Sequence, residues 1–241
     1  VDKSGWPIGM VPRKLVHTFN ILHRGIGMVV AKDKSIVTPG TSADFPELYV
    51  HRRTDTKRIF PSLYDMFVGG VSTAGEDSRV TAAREVAEEL GLSRALEGGV
   101  LSSSSSLSLS SPLSDPLFNC TICTGYNRCF VTVFCFTFDS EKDRVSWQEE
   151  EVAWGDFCDY DTIVASADLS IQRLVDKGKW PGDVPMDLSK RVLKSQEHNI
   201  ASSNDGGGAW KGWDYVPDGL LVWEAWLDWQ KGQGESSPSS S

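Results

Sequence analysis

Residues 70–92 read GVSTAGEDSRVTAAREVAEELGL, and the second half of this stretch carries three glutamates at helical spacing. Glu85, Glu88 and Glu89 stand at i, i+3 and i+4, so a helix places their carboxylates on one face. The opposite face carries small and aliphatic side chains, which are Val80, Ala83, Val86, Ala87 and Leu90. The stretch therefore predicts an amphipathic helix with one edge rich in carboxylates.

Both ends of this predicted helix carry residues that suit helix termini. Glu76 and Asp77 precede it, where negative charge favours the positive end of the helix dipole, and Ser78 is the expected N-cap. Gly91 is placed to end the helix in a left-handed conformation, with Leu92 as the apolar contact beyond it. These signals favour a helix that lies between a loop and a glycine stop.

The three carboxylates also predict a binding site for a divalent cation. Like charges on adjacent turns of an exposed helix repel by roughly 0.2–0.5 kcal/mol per pair, and a bound cation relieves that repulsion. Carboxylate oxygens favour Mg²⁺ (or Mn²⁺) over Zn²⁺. The alternative is an ordinary acidic helix face in contact with water, which is what charge runs usually form.

The spacing of the whole stretch is similar to the Nudix box, G-x5-E-x7-R-E-U-x-E-E-x-G-U, in which U is an aliphatic residue. Gly70, Glu76 and residues 84–92 fill every specified position. The resemblance implies an α/β fold, a Nudix-type α/β/α sandwich with a mixed β-sheet, in which the box forms a loop–helix–loop. It also implies an enzyme that hydrolyses a diphosphate linkage in a nucleoside diphosphate-X or a related organic diphosphate.

The same resemblance assigns roles to individual residues of the box. It implies that Glu85, Glu88 and Glu89 bind Mg²⁺ and that the backbone carbonyl of Gly69 adds a ligand. Arg84 is expected to orient a box carboxylate through a salt bridge and to be partly buried. The alternative is a Nudix fold without chemistry, which would act as a module that binds a phosphorylated ligand.

A second segment, residues 51–65, precedes the box and reads HRRTDTKRIFPSLYD. Its Arg53, Lys57 and Pro61 resemble the R-x3-K-x3-P run of isopentenyl-diphosphate isomerases and of the Nudix hydrolases related to them. The resemblance implies that Arg53 and Lys57 bind the substrate's diphosphate, Arg53 through a planar fork and Lys57 as a mobile point charge. The alternative is a strand end followed by a loop with exposed cations.

The isomerase itself is the alternative enzyme, and the sequence departs from its pattern at two places. Isomerases carry a catalytic cysteine and a histidine metal ligand shortly after the Arg/Lys strand, where residues 66–71 read MFVGGV. They place two glutamates just before the long strand, where residues 126–129 read YNRC. An alkene is not protonated at an enzymatic rate without a placed acid, so the sequence favours the hydrolase.

The family resemblance offers two candidate positions for the general base. In some members it is a box glutamate, and in others it is a glutamate on a loop after the long strand. Residues 149–151 are all glutamates, and Glu151 lies closest to the following strand, which makes it the candidate base. The alternative for these three residues is a solvated acidic loop.

Composition limits the classes of partner. The chain has 241 residues, a formal net charge of −9 and no cluster of Lys and Arg, which argues against binding a nucleic-acid polymer. No apolar run reaches the ~20 residues of a membrane span, so no membrane association is expected. The expected partner is a small-molecule diphosphate.

The five cysteines bear on the compartment. They are odd in number and clustered, which is a poor disulfide framework and favours an intracellular protein. The cytoplasm is the expected location. A plastid or mitochondrion is the alternative, because the sequence starts with Val1 and a leader could have been removed.

The order of segments predicts one α/β domain over residues 15–230, preceded by an N-terminal arm over residues 1–14. Residues 101–116 are almost entirely serine and leucine and predict a disordered insertion. Residues 202–208 predict a flexible loop, and residues 231–241 predict a disordered tail. Strands are expected at residues 27–31, 48–52, 66–68, 129–138 and 152–154, and further helices at residues 161–176 and from 217 onward.

Overall fold

The computed structural model describes residues 1–34, 36, 45–97, 111–202 and 212–235, which form a mixed β-sheet with helices on both faces. The strands are β1 (His23–Lys32), β2 (Leu48–Arg53), β3 (Tyr64–Asp65), β4 (Val68–Val71), β5 (Phe118–Cys123), β6 (Arg128–Phe138) and β7 (Val152–Cys158). The helices are α1 (Arg13–Thr18), α2 (Ser78–Leu90), α3 (Arg94–Glu97), α4 (Tyr160–Asp176), α5 (Leu188–Ser202) and α6 (Pro217–Glu235). This architecture confirms the predicted α/β fold with a mixed sheet.

The centre of the sheet is a parallel pair, in which β6 runs in register beside all of β1. The other side of β1 is shared by two antiparallel partners. Gly27 faces Gly69 of β4, and Ala31 faces Leu48 of β2. This division places β4, which leads directly into the box, close to the end of β2. That end carries Arg53, which is predicted to bind the diphosphate.

Alternate residues of β6 separate two hydrophobic cores, as the two-residue period of a strand requires. Val131, Val133 and Cys135 lie in the core covered by α4, α5 and α6, whereas Phe134 and Phe136 lie in the core covered by α2 and α3. Because both faces of this strand are buried, nearly every one of its positions is apolar or aromatic. That composition is why β6 is the strand that the sequence predicts best.

The predicted box helix is α2, and its start differs by one residue from the expectation. Asp77 is the N-cap, and its carboxylate accepts a hydrogen bond from the backbone N–H of Arg79 at 2.8 Å, so the prediction of Ser78 is wrong. The predicted glycine stop is confirmed, because Gly91 has a φ of 70°. A Cβ at Gly91 would also lie 2.8 Å from the carbonyl oxygen of Ser146, so a larger residue does not fit there.

The buried face of α2 is turned slightly from the predicted stripe. The fully buried positions are Thr81, Ala82, Ala83, Val86 and Leu90. Val80 and Ala87, which the pattern assigned to the core, are only partly buried. The helix therefore directs its 81–82 edge toward the sheet, where small side chains allow a close approach.

Two predicted boundaries need correction where the structure describes them. The serine-rich insertion was expected to run to residue 116, but Leu113 is buried and forms a β-bridge with Phe136. Arg79 donates hydrogen bonds of 2.8 Å to the carbonyl oxygens of Leu113 and Ser114, which ties this segment to α2. The tail was expected from residue 231, whereas α6 continues to Glu235 in spite of Gly232 and Gly234.

Other parts of these predictions lie outside the described residues. They are residues 101–110 of the insertion, 203–208 of the glycine-rich loop and 236–241 of the tail. Among the described residues, no helix is both long enough and apolar enough to cross a bilayer. All five cysteines are described and all are free thiols.

Candidate active site

The first glycine of the box is required by the packing of a box glutamate. The carboxyl group of Glu85 lies directly over Gly70, and a Cβ at that position would collide with it. Gly70 belongs to β4, and α2 packs on β4 and β1 through Val86 and its neighbours. The glycine therefore brings the carboxylate of Glu85 against the strand that carries Gly69.

Arg84 connects three carboxylates at one edge of α2. Its guanidinium lies 2.8 Å from Glu85 Oε1 and 3.0 Å from Glu88 Oε2, and its Nε donates to Glu76 Oε1 at 3.2 Å. The hydrogen bond to Glu76 raises the pKa of Arg84 above its usual range. The predicted salt bridge to a box carboxylate is therefore present, and the Arg84 side chain is partly buried, as expected.

Glu89 lies in a different environment at the other edge of the helix. Within the described part of the chain, its carboxylate has no hydrogen-bond or ion-pair partner. Burial, and to a smaller extent the nearby charge of Glu85, raises the pKa of Glu89 to about 7. Burial also raises the pKa of Glu85. Two neighbouring carboxylates that burial destabilises in their charged form make a donor set that fits a hard divalent cation.

The three predicted metal ligands do not converge on one point. Glu88 is 56% exposed and pairs with Arg84 at 3.0 Å. Among the described residues, no three His, Cys, Asp or Glu side chains form a ready metal-binding cluster. Gly69 lies in β4 next to the Glu85–Gly70 contact. This position is compatible with the role of its carbonyl oxygen as a metal ligand, which stays a prediction.

The predicted phosphate-binding lysine and the predicted base contact each other. Lys57 and Glu151 form an ion pair in which both side chains are largely buried. The loop of Glu151 is fixed to the end of β2, because Thr54 donates its backbone N–H to the Glu151 carbonyl oxygen at 3.2 Å. A second bond, from Gln148 N–H to the Glu89 carbonyl oxygen at 2.9 Å, fixes the same loop to α2.

The charges of the second segment act on the box carboxylates. Burial lowers the pKa of Lys57, as does the charge of Arg53, whereas Glu89 and Glu85 act in the opposite direction. Arg53 donates from Nη2 to the carbonyl oxygen of Ile59 at 3.3 Å, but its Nε is buried without a partner. Two cations and two carboxylates thus lie within electrostatic reach of one another.

A cavity of about 290 Å³ opens beside this group of charges. Arg53, Gly69 and Gly70 line one part of it, and Asp65 and Asp218 line another. Its apolar wall is formed by Ile26, Phe67, Ile122, Val131, Val216 and Val222. The cavity therefore connects the box glycines with the start of α6.

Sequence reasoning missed the acidic part of the cavity. Asp218 accepts hydrogen bonds from the Tyr126 hydroxyl and from Asn127 Nδ2, the latter at 2.6 Å. The sequence analysis considered residues 126–129 only because they lack the two glutamates that isomerases carry at this place. The one local signal is Pro217 followed by Asp218 at the start of a helix, and it does not indicate which distant residues meet it.

Comparisons with known proteins agree with these observations. A model of the NUDIX domain matches residues 35–176. The "Uncharacterized Nudix hydrolase SCO1686" of Streptomyces coelicolor is 28% identical over 243 residues, which cover 100% of this chain and 91% of that protein. The "Uncharacterized Nudix hydrolase orf19" of Rhodococcus erythropolis is 41% identical over 91 residues, which cover 38% of this chain and 44% of that protein.

This chain was also compared with solved structures. The MutT protein from Methanosarcina mazei Go1 has 13% sequence identity and a TM-score of 0.41. The alignment covers 74% of this chain and 95% of that one.

Proposed function

Because this chain belongs to the Nudix family, whose domain model matches more than half of its residues, we propose that it hydrolyses a diphosphate linkage in a small organic diphosphate. The observation that carries the proposal is the buried carboxylate of Glu89, which lies beside Glu85 and has no hydrogen-bond or ion-pair partner among the residues that the structure describes. A charge buried in this way is costly unless a cation accompanies it. A magnesium diphosphate brings such a cation.

Glu85, Glu89 and the carbonyl oxygen of Gly69 would hold the cation, with Glu88 at the margin of the site. When bound, Mg²⁺ neutralises charge on the diphosphate and makes water more acidic. Arg84 acts as a positioning residue, because its guanidinium bonds hold the Glu85 carboxylate against β4. These roles agree with the family resemblance of the box.

Arg53 and Lys57 would bind the diphosphate. Arg53 offers a buried Nε–H without a partner, and a phosphate oxygen is the acceptor that suits it. Lys57 forms an ion pair with Glu151. A diphosphate therefore competes with Glu151 for the ammonium group.

That competition gives Glu151 the role of general base. Once Lys57 turns to a phosphate oxygen, the Glu151 carboxylate is free to accept a proton from the attacking water. The water's oxygen then forms the new P–O bond, and the bridging oxygen leaves with the second phosphate. A box glutamate is the other candidate base that the family resemblance allows.

The finer assignment, to the branch that resembles isopentenyl-diphosphate isomerases, rests on the spacing of Arg53, Lys57 and Pro61. We expect no isomerase activity. Incubation with isopentenyl diphosphate and Mg²⁺, followed by separation of the products, should yield no dimethylallyl diphosphate. Its formation at an enzymatic rate would replace the hydrolase with the isomerase.

The direct test of the hydrolase is a metal-dependent substrate screen. The panel contains nucleoside diphosphate sugars, dinucleotides, NADH, coenzyme A and prenyl diphosphates, each incubated with Mg²⁺ and with EDTA. We expect Mg²⁺-dependent release of a phosphorylated product from at least one class. Binding without turnover across the panel would instead identify a non-catalytic module.

A further inference from the structure

Residues 6–19 form an exposed apolar segment beside the cavity. Trp6, Ile8 and Met10 are 71%, 75% and 81% exposed. Within the described part of the chain, the segment holds six of the twelve large hydrophobic side chains that are exposed, namely Trp6, Ile8, Met10, Val11, Leu15 and Phe19. Exposed apolar residues that are scattered singly are ordinary, whereas a concentration of this kind points to an interaction surface.

The fold anchors this segment on both sides. Asp2 and Trp6 close a turn, in which Asp2 N–H donates to the Trp6 carbonyl oxygen at 2.9 Å and Asp2 Oδ1 accepts from Trp6 N–H at 2.9 Å. Gly5 of this turn packs on Phe130 of β6 so closely that a Cβ would lie 2.6 Å from the ring. At the other end, Val16 is the buried residue of α1. The exposed side chains are therefore presented by backbone that is fixed to the domain.

The exposed apolar segment is also basic, although the chain as a whole is acidic. Residues 3–19 contain Lys3, Arg13 and Lys14 and no aspartate or glutamate, whereas the formal net charge of the chain is −9. All three cations are exposed, and none of them forms an ion pair with another described residue. Apolar side chains next to unpaired cations suit an anionic bilayer, because the apolar groups enter the headgroup layer while the cations contact lipid phosphates.

The charge disfavours a second copy of the chain as the occupant of this surface. Two copies that met through the same segment would bring like cations together, and such a contact costs free energy. Anionic headgroups supply the opposite charge and also accept the apolar side chains. The segment is therefore complementary to a bilayer in both respects.

We propose that residues 6–19 form a peripheral membrane-binding surface, through which the protein docks on anionic phospholipid. Trp6 is the residue type that favours the headgroup region. Arg13 and His17 of the segment line the cavity, so docking places the mouth of the cavity next to the bilayer. The expectation of no membrane association rests on the lack of a spanning run, and a peripheral contact needs none. This surface is separate from the proposed hydrolysis.

The test is co-sedimentation of the full chain with lipid vesicles. Vesicles of phosphatidylcholine and phosphatidylserine in equal parts are compared with vesicles of phosphatidylcholine alone. Because each cation near an anionic surface strengthens binding by about fivefold, we expect at least tenfold stronger partition onto the anionic vesicles. High salt should reduce the difference, since it screens exposed charges.

Variants assign the binding to the segment. Met10→Ser should weaken partition onto anionic vesicles by about tenfold, the effect of losing one apolar side chain from the interface. Met186→Ser is the matched control and should stay within twofold of the wild type, because Met186 is also exposed but lies between α4 and α5. Lys14→Gln should weaken partition by about fivefold, whereas Lys190→Gln, at an exposed lysine of α5, should not.

The outcomes that contradict the proposal are distinct. Equal partition onto both kinds of vesicle, or equal effects of Met10→Ser and Met186→Ser, would overturn it. Sedimentation velocity without lipid, over a range of protein concentrations, tests the other occupant, and a dimer that Met10→Ser dissociates would assign the segment to a second copy. Melting temperatures show whether each variant folds, and Trp6→Ser replaces Met10→Ser if that variant does not.

Discussion

The acidic face of α2 has two edges that hold glutamates in different electrostatic states. At one edge, Arg84 binds Glu88 at 3.0 Å, and it also binds Glu85 in the middle of the face at 2.8 Å, so the chain itself supplies neutralising charge. At the other edge, Glu89 has no hydrogen-bond or ion-pair partner among the described residues, and burial raises its pKa to about 7. Glutamates at helical spacing on one helix therefore differ in how much a bound cation would stabilise them.

The largest effect should separate these two edges in catalysis. Glu89→Gln is expected to lower kcat by about 10²–10⁴-fold, the range for loss of a group that acts directly on the reaction. Glu88→Gln, at the exposed and neutralised edge, should cause a clearly smaller loss. Steady-state kinetics with Mg²⁺ on the substrate found by the screen measures both, and equal losses would show that both edges form one ligand set.

The second prediction concerns the contact that places Glu85. Gly70→Ala forces the Glu85 carboxylate away from β4, and a displacement of about 1 Å in an active site costs on the order of 10²-fold in rate. Gly125→Ala is the control, because a Cβ at Gly125 meets nothing within 4 Å. Activity and melting temperature are measured for both, and wild-type activity in Gly70→Ala would mean that Glu85 need not lie there.

The third prediction addresses the cations that act on Glu89. Arg53→Ala and Lys57→Ala should each raise KM by about 10–100-fold, the loss expected for a hydrogen bond between charged groups. Arg52→Ala is a matched control, because Arg52 is exposed and is not among the residues that line the cavity, whereas Arg53 is. Equal KM values in all three variants would favour a purely structural role for these cations.

The smallest effect is on stability and depends on pH. The pKa of Glu89 is about 7 in the folded chain against an ordinary value of 4.5, so the folded state holds a proton that the unfolded state has lost. Stability therefore falls as pH rises from about 4.5 to 7 and stays low above it. The difference corresponds to at most about 3 kcal/mol.

Glu89→Gln removes this penalty and should melt at a higher temperature than the wild type at pH 8, but at a similar temperature at pH 4.5. The melts are run in EDTA, because a bound cation would reverse the effect. Glu88→Gln should stay close to the wild type at both pH values, since its side chain is exposed. A pH-independent difference for Glu89→Gln would show that its gain has another cause.

Long-range pairing accounts for the elements that the sequence analysis did not predict. β5 is six residues long and lies at the sheet edge, where it pairs with β6. Its alternation of apolar and polar residues covers only these few positions, so the sequence signal for a strand is weak. Cys120 and Cys123 of this strand resemble half of a zinc site, but their odd spacing directs them to opposite faces. α5 was missed as well. Leu188 and Val192 are buried one turn apart, but Leu193 is 62% exposed, so the apolar face of this helix is narrow.

The sequence by itself determined the box helix, its glycine stop and the strand at the centre of the sheet. These features depend on spacing within one turn, one strand or one cap, and such spacing is local along the chain. The roles of Arg84 and Gly70 follow from a family resemblance that is local in the same sense.

Only the tertiary structure decided which glutamate is buried and which distant residues meet. Lys57 reaches Glu151, and Asp218 reaches Tyr126, because sheet pairing and helix docking join segments far apart in sequence. Burial and proximity set the pKa of Glu89, and neither quantity is encoded by residue type or spacing. The helix could therefore be predicted from one segment of the sequence, whereas the contacts and the burial that define the site depend on the whole fold.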